Sequence, residues 1–156
     1  MATAAILLAR AAGLRVWCTS RTEAKRSRAL ELGAHEAFET GARLPQQVDA
    51  VVETVGEATW AHSLRALRPG GTVAVAGATS GSMPPADLNR VFFRSLRIAG
   101  TTMGTREQLV TVQQMLVAAG VGPLVDSVVP LDGVGEALAR MGAGDVVGKI
   151  VVEPRS

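Results

Sequence analysis

The sequence predicts an α/β fold in which helices cover both faces of a doubly wound, parallel β-sheet. Predicted strands and helices alternate along most of the 156 residues, and this alternation is typical of βαβ units. Three apolar runs, at 49–55, 72–78 and 96–102, are too short for helices, which indicates strands buried on both faces. Right-handed crossovers between such strands place the helices on both sides of the sheet.

The composition is that of a globular domain whose core is built from aliphatic side chains. Hydrophobic residues make up 47% of the chain and charged residues 19%, whereas aromatic residues contribute only 3%. The net charge is +2, and neither a basic stripe nor an aromatic stacking platform accompanies it, which argues against nucleic-acid binding. No apolar run reaches the length of a membrane span, so we expect no membrane partner.

The single cysteine and the N-terminal residues bear on the cellular location. One cysteine, Cys18, cannot form a disulfide within the chain and is typical of a reducing compartment. The apolar start at 1–12 is short, and no basic residue precedes it, so it does not resemble a signal peptide. We therefore expect a cytoplasmic location.

The elements of the first half follow from helix propensity and from the apolar pattern. An Ala- and Leu-rich stretch favours a helix at the start, and Gly13 ends it as glycine does at the C′ position. The predicted elements are helices at 3–12, 22–32 and 59–67 and strands at 14–19, 35–38 and 49–55, with a loop at 41–47.

The second half continues the alternation. Pro69, Gly70 and Gly71 predict a turn, and Pro123 opens the last segment. The predicted elements are strands at 72–78, 96–102, 126–131 and 149–152 and helices at 87–93, 106–119 and 133–141.

The chain departs from the doubly wound pattern at its beginning. A nucleotide-binding domain of this class opens with a strand, a Gly-rich turn and a helix, whereas this chain opens with the helix. No GxGxxG precedes Thr3, so the sequence lacks the backbone cradle for a pyrophosphate. In the strand order 3-2-1-4-5-6 the absent strand is the central one. We expect a truncated, Rossmann-like dinucleotide-binding domain at 1–122 and a separate strand-helix-strand segment at 123–156.

Ser20, Arg21 and Lys25 follow the strand at 14–19, whose end faces the adenosine ribose in a dinucleotide fold. An acidic residue at that point binds the ribose hydroxyls of NAD, whereas an arginine accommodates the 2′-phosphate of NADP. Arg21 can bind a phosphate with two parallel hydrogen bonds, Ser20 can donate one more, and Lys25 adds a charge one turn later. These residues favour NADP over NAD; the alternative is an ordinary solvated helix start.

Three loops rich in small residues follow the three apolar strands. Ligands of open α/β sheets bind beyond the carboxyl ends of the strands, and small residues there let the backbone approach a flat ring. The alternative is ordinary turn chemistry, because glycine is common after a strand. The candidate cofactor-binding residues in these loops are Thr54, Val55, Gly77, Ala78, Thr102 and Met103.

Other residues offer no convincing catalytic or metal site. With one cysteine and two histidines, the chain cannot supply a zinc site of the usual spacing. Ser80 and Ser82 lie in a Gly-rich loop that lacks the nucleophile-elbow pattern. Lys149 begins the last strand and is either a surface charge or a contact to a cofactor phosphate. We therefore name no catalytic residue and no metal ligand.

Four stretches of the sequence occur in a distinctive order and spacing. They are ATAAILLARAAG from Ala2, ELGA from Glu31, RPGGTV from Arg68 and VVGKIVV from Val147. Together they resemble the cofactor-binding half of the medium-chain dehydrogenases/reductases, which the zinc-binding dehydrogenases share. They are most similar to the zinc-independent, quinone-oxidoreductase-like branch, and the likeness runs from residue 2 to about residue 152.

The resemblance implies a role for each candidate position. Ser20, Arg21 and Lys25 match the residues that hold the 2′-phosphate of NADP in the family. Lys149 matches a position whose basic residue contacts the pyrophosphate. The residues that match the lining of the ribose and the nicotinamide are Thr54, Val55, Gly77, Ala78, Thr102 and Met103.

The resemblance also implies a longer parent protein and a homodimer. Family members carry an N-terminal substrate domain, and Met1 falls just before the last glycine of their Gly-rich turn. We therefore expect an internal or artificial start, with an in-frame strand and turn encoded upstream. The strand at 96–102 matches the edge strand that pairs with its twin in a dimer, and the segment after Pro123 matches the return to the substrate domain.

The leading hypothesis is the cofactor-binding part of an NADP(H)-dependent oxidoreductase that is inactive alone. Its parent would pass a hydride from the nicotinamide to a quinone, an enone or a similar acceptor. One alternative is a non-catalytic nucleotide-binding or dimerisation remnant. Another is the cofactor half of a zinc-dependent alcohol dehydrogenase.

Overall fold

The computed structural model describes residues 1–154, in which helices and strands alternate as the sequence predicts. The helices are α1 (Ala2–Ala11), α2 (Glu23–Glu31), α3 (Glu57–Ala66), α4 (Leu88–Phe93), α5 (Arg106–Ala118) and α6 (Val134–Ala143). The strands are β1 (Trp17–Ser20), β2 (Glu36–Glu39), β3 (Val48–Glu53), β4 (Leu67–Val75), β5 (Arg97–Gly100), β6 (Val125–Pro130) and β7 (Lys149–Glu153).

The described strands form three sheets, with the orders β1-β2, β3-β4-β5 and β6-β7. The first two sheets correspond to strands 2 and 3 and to strands 4, 5 and 6 of the doubly wound order. The parallel strands confirm the prediction of a Rossmann-like α/β fold.

The chain divides into two compact units. The first unit comprises Met1–Cys18, Thr22–Ala37 and the residues from Val110 onward, and the second comprises Thr19–Arg21 and Phe38–Leu109. Each unit has its own apolar cluster. None of the described helices is both long and apolar enough to cross a membrane.

In the first unit, α1 and α2 pack through small and aliphatic residues. Ile6 of α1, Ala29 of α2 and Ala34 are buried together. Helix α1 ends where Gly13 adopts a φ of 75°, and the amide of Leu14 donates to the carbonyl of Ala9 at 2.9 Å. Glycine reaches this left-handed conformation without a steric penalty, which explains why the helix ends at the predicted point.

The C-terminal part of the first unit is the predicted strand-helix-strand segment. Strands β6 and β7 pair in parallel, with α6 between them in the chain. Asp126 accepts a hydrogen bond from the amide of Val147 at 3.0 Å and pairs with Arg140 of α6 at 2.9 Å. This carboxylate therefore connects β6, α6 and the approach to β7.

In the second unit, β3, β4 and β5 form a parallel sheet with α3 on one face. The buried cluster contains Trp60 and Leu64 of α3, Leu67 and Val73 of β4, and Leu96. Trp60 is 8% exposed and is the one aromatic side chain of this cluster. The cluster holds the sheet against α3, whose N-terminus begins directly after β3.

Two details of this sheet differ from the sequence prediction. The predicted turn at Pro69 to Gly71 lies inside β4 as an irregularity of the strand, where the ladder with β3 skips from Leu67 to Thr72 and Gly70 has a φ of 76°. The prediction that the strands at 49–55 and 96–102 are buried on both faces is wrong. Val52 of β3 is 60% exposed, and every residue of β5 is exposed, because α3 covers one face and β5 lies at the sheet edge.

We expect Leu64→Ala to destabilise the chain by about 2–5 kcal/mol, since it leaves a cavity in a site where the side chain is only 1% exposed. Urea unfolding followed by circular dichroism measures this loss. Leu109→Ala is the matched control, because that leucine is 59% exposed and its truncation should cost less than about 0.5 kcal/mol. Equal losses in the two variants would contradict the assignment of the core.

Candidate cofactor-binding site

The carboxyl ends of β3, β4 and β5 lie side by side. The register pairs Glu53 with Val75 and Val75 with Gly100, so the three strands end at one edge of the sheet. The loops that leave this edge carry three pairs of candidate residues, namely Thr54 with Val55, Gly77 with Ala78, and Thr102 with Met103. The sheet therefore brings these six predicted residues to the same edge.

Hydrogen bonds join the loop after β3 to the loop after β4. The amide and the hydroxyl of Ser80 both donate to the carbonyl of Val55, at 2.7 and 2.8 Å. The amide of Ala58 donates to the Ser80 hydroxyl at 3.0 Å, and that of Glu57 donates to the carbonyl of Gly81 at 3.2 Å. We call residues 54–56 and 77–81 the loop pair. Oxygen atoms of the second loop thus accept hydrogen bonds from the amides of Glu57 and Ala58, which are amides that an anion at the N-terminus of α3 would otherwise bind.

Gly56 allows the two loops to approach this closely. Its φ is 92°, and a Cβ there would lie 3.0 Å from the Cα of Ala78 and would collide with the carbonyl oxygen of Gly81. Both the positive φ and these short contacts disfavour any residue with a side chain at this position. The glycine at this point is therefore required by packing between the loops as well as by the turn itself.

Glu53 is a buried carboxylate at the base of the loop pair, and only 3% of its surface is exposed. Its Oε1 accepts from the amides of Val55 at 2.8 Å and Gly56 at 3.1 Å. The hydroxyl of Thr59 donates to the same carboxylate at 2.8 Å, and the hydroxyl of Ser63 donates to Oε2. Within residues 1–154, no cationic side chain pairs with Glu53, so hydrogen bonds alone compensate its burial.

These hydrogen bonds set the charge state of Glu53. Burial by itself raises the pKa of the carboxyl, but the donors Ser63, Val55, Gly56 and Thr59 together outweigh it, and the net effect lowers the pKa. Glu53 is therefore ionised at neutral pH. No motif in the sequence marks this residue, although an acid at the end of an apolar strand is a signal that could have identified it.

The adenosine-end candidates are divided between the units. Ser20 and Arg21 belong to the second unit, as the loop pair does, whereas Lys25 and Lys149 belong to the first. Arg21 is exposed and makes no hydrogen bond or ion pair within the part of the chain that the structure describes. The ammonium of Lys25 donates to the carbonyl of Gly144 at 2.8 Å, and Lys149 is exposed at the start of β7.

A cavity of about 610 Å³ lies elsewhere in the second unit, and none of the predicted site residues lines it. It is bounded by the loop 41–47 and by His62, Arg65 and Ala66 of α3. The His62 Nε2 donates to the carbonyl of Ala42 at 2.8 Å, which holds this loop against the helix. Among the described residues, no three His, Cys, Asp or Glu side chains are placed to hold a metal ion.

Glu53→Gln should reduce stability at neutral pH by about 1–3 kcal/mol, because the amide nitrogen leaves buried donors unpaired. In the folded chain the pKa of Glu53 lies below its unfolded value of about 4.3. The stabilisation that the charged carboxylate provides is therefore complete above that pH and is lost as the pH falls through the folded pKa. The stability gap between wild type and variant should therefore narrow on acidification.

Urea unfolding at a series of pH values from neutral to acid measures this gap. Glu136→Gln, at an exposed position of α6, is the control and should follow the wild type at every pH. A gap that stays constant across the whole series would contradict the role assigned to the Glu53 charge.

Comparison with known proteins identifies the family. The model of the zinc-binding dehydrogenase family matches residues 1–118. No curated protein sequence matched the chain in a sequence comparison.

Solved structures share the fold over nearly the whole chain. The crystal structure of AibC is 29% identical with a TM-score of 0.87, covering 99% of this chain and 46% of that one. An NAD-dependent alcohol dehydrogenase is 29% identical with a TM-score of 0.84, covering 98% and 48%. A thermostable alcohol dehydrogenase from Pyrobaculum aerophilum is 30% identical with a TM-score of 0.84, covering 96% and 46%.

The chain thus spans less than half the length of these three proteins. The family match covers most of the chain, and the parallel strands and their loops agree with it. The chain belongs to the zinc-binding dehydrogenase family of the medium-chain dehydrogenases/reductases and corresponds to the Rossmann-like domain that binds their nicotinamide dinucleotide.

Proposed function

We propose that the chain is the cofactor-binding part of an NADP(H)-dependent oxidoreductase whose hydride acceptor is a quinone or an enone. The observation that carries this proposal is the common edge at which β3, β4 and β5 end in loops of small residues. A flat ring and its ribose need close approach to backbone, and small residues at strand ends allow it.

The nicotinamide end of the cofactor is assigned to this edge. Thr54 and Val55 are half-buried, and Gly77, Ala78, Thr102 and Met103 complete the proposed lining. None of these side chains is titratable, so they can orient a cofactor and exclude water but cannot exchange a proton. The bound nicotinamide would supply the hydride, and we assign no catalytic residue to this chain.

The adenosine end is assigned to Ser20, Arg21 and Lys25. Arg21 supports the choice of NADP most strongly, because its guanidinium is exposed and the described chain offers it no carboxylate. Lys25 already donates to a backbone carbonyl, so a phosphate would have to share or replace that bond. Lys149 is proposed to contact the pyrophosphate.

The rest of the parent enzyme is proposed from the family. The segment 123–156 would return toward a substrate domain, and 1–122 would form the cofactor domain, which is expected to be inactive alone. We keep the cytoplasm as the expected location, since Cys18 is a free, half-buried thiol.

A second candidate is the cofactor half of a zinc-dependent alcohol dehydrogenase. The alcohol dehydrogenase from Pyrobaculum aerophilum, at 30% identity, favours this alternative, because a second structure of it has cobalt and zinc bound. The described residues do not themselves fit a zinc ion, because no suitable cluster of ligands is present among them. A non-catalytic remnant that serves nucleotide binding or dimerisation is the remaining alternative.

Arg21→Ala should weaken NADPH binding by about 1.5–3 kcal/mol, the value of one charge-assisted hydrogen bond, and should leave NADH binding nearly unchanged. Fluorescence titration of each reduced cofactor into the purified full chain measures this difference. Arg65→Ala removes the same charge from the far end of α3 and serves as the control. Equal loss for both cofactors would defeat the assignment of Arg21 to the 2′-phosphate.

The open edge of β5 is proposed to pair with the same strand of a second chain. The amide of Thr101 donates to Val75 of β4, so by alternation the amide of Ile98 points to the open edge. Exposed apolar edges invite such pairing.

Ile98→Pro removes that donor and should convert a dimer into a monomer, whereas Ile98→Val should leave the dimer intact. Sedimentation velocity over a range of concentrations distinguishes the two states. A wild-type chain that stays monomeric at high concentration would refute this dimer.

A further inference from the structure

Glu53 is an unusual choice for an interior position of a small domain. Its carboxylate is nearly inaccessible, and within the described chain it has no cationic partner. A buried charge without a counter-ion is costly, so a purely structural position would be served as well by an apolar side chain. What the carboxylate adds is a set of directed hydrogen bonds.

Those hydrogen bonds end on the residues that shape the loop pair. Two of the donors are the amides of Val55 and Gly56 within the first loop, and two are the hydroxyls of Thr59 and Ser63 on α3. Thr59 and Ser63 are four residues apart and lie on one face of the helix. Glu53 thus fixes the first loop to the first two turns of α3.

The second loop depends on the first. Val55 donates its amide to Glu53 and accepts, at its carbonyl, both hydrogen bonds from Ser80. Glu53 therefore holds the amide of Val55, and Ser80 holds its carbonyl. A movement of this residue would disturb Gly77 to Gly81 as well.

We propose that Glu53 is a positioning residue for the nicotinamide end of the cofactor, acting through Val55 and the loop pair. This inference rests on the proposed function, because it takes the loop pair to line the nicotinamide. Glu53 does not touch the cofactor in this account. It holds the backbone in the conformation to which the nicotinamide and its ribose bind.

The test compares two ligands on the full chain by isothermal titration calorimetry. NADPH spans both ends of the site, whereas adenosine 2′,5′-bisphosphate occupies the adenosine end alone. Glu53→Gln should raise the Kd of NADPH by about tenfold and leave the Kd of the bisphosphate within about twofold. Arg21→Ala should raise both values, and Glu136→Gln should change neither.

Thermal unfolding monitored by circular dichroism establishes that each variant is folded. Thr59→Val removes one donor, keeps the carboxylate and provides a milder variant. It should also raise the Kd of NADPH more than the Kd of the bisphosphate. If Glu53→Gln does not fold, Thr59→Val decides the matter.

Three results would overturn the inference. Unchanged NADPH affinity in both Glu53→Gln and Thr59→Val removes the positioning role and leaves the proposed function standing. Equal weakening of the two ligands indicates a general loosening of the domain, and no positioning role. A wild-type chain that binds neither ligand overturns the proposed function, and this inference with it.

Discussion

The carboxylate of Glu53 organises the loop pair, which belongs to the proposed cofactor site. It accepts hydrogen bonds from two backbone amides and two hydroxyls, and these fix the turn between β3 and α3. Ser80 then attaches the loop after β4 to that turn through the carbonyl of Val55. The loop pair is thus built by polar contacts, on a sheet and helix that are held together by apolar ones.

The order of elements could be predicted from the sequence because it depends on local properties. The helix before Gly13 ends where glycine adopts a left-handed conformation, and the short aliphatic runs form parallel strands. Strand burial was predicted less well. Aliphatic residues in β3 and β5 indicate that a strand can be covered on both faces, but tertiary packing decides which faces are covered.

The loop pair could be predicted only in part. The position of the candidate residues directly after strands predicts them, because ligands of open α/β sheets bind beyond the carboxyl ends of the strands. The connections between them were not foreseen, because Glu53 and Ser63 are ten residues apart, and Ser80 and Val55 are twenty-five residues apart. Such bonds arise from the fold. The collision that a Cβ at Gly56 would suffer with the neighbouring loop is likewise invisible in the sequence.

A nicotinamide dinucleotide is proposed to bind along the common edge of β3, β4 and β5. Amide chemical shifts of the ¹⁵N-labelled chain, recorded while NADPH is added, test this proposal most directly. The largest changes should fall on Thr54, Val55, Gly77, Ala78 and Thr102. Changes confined to other parts of the chain, or none at saturating cofactor, would contradict it.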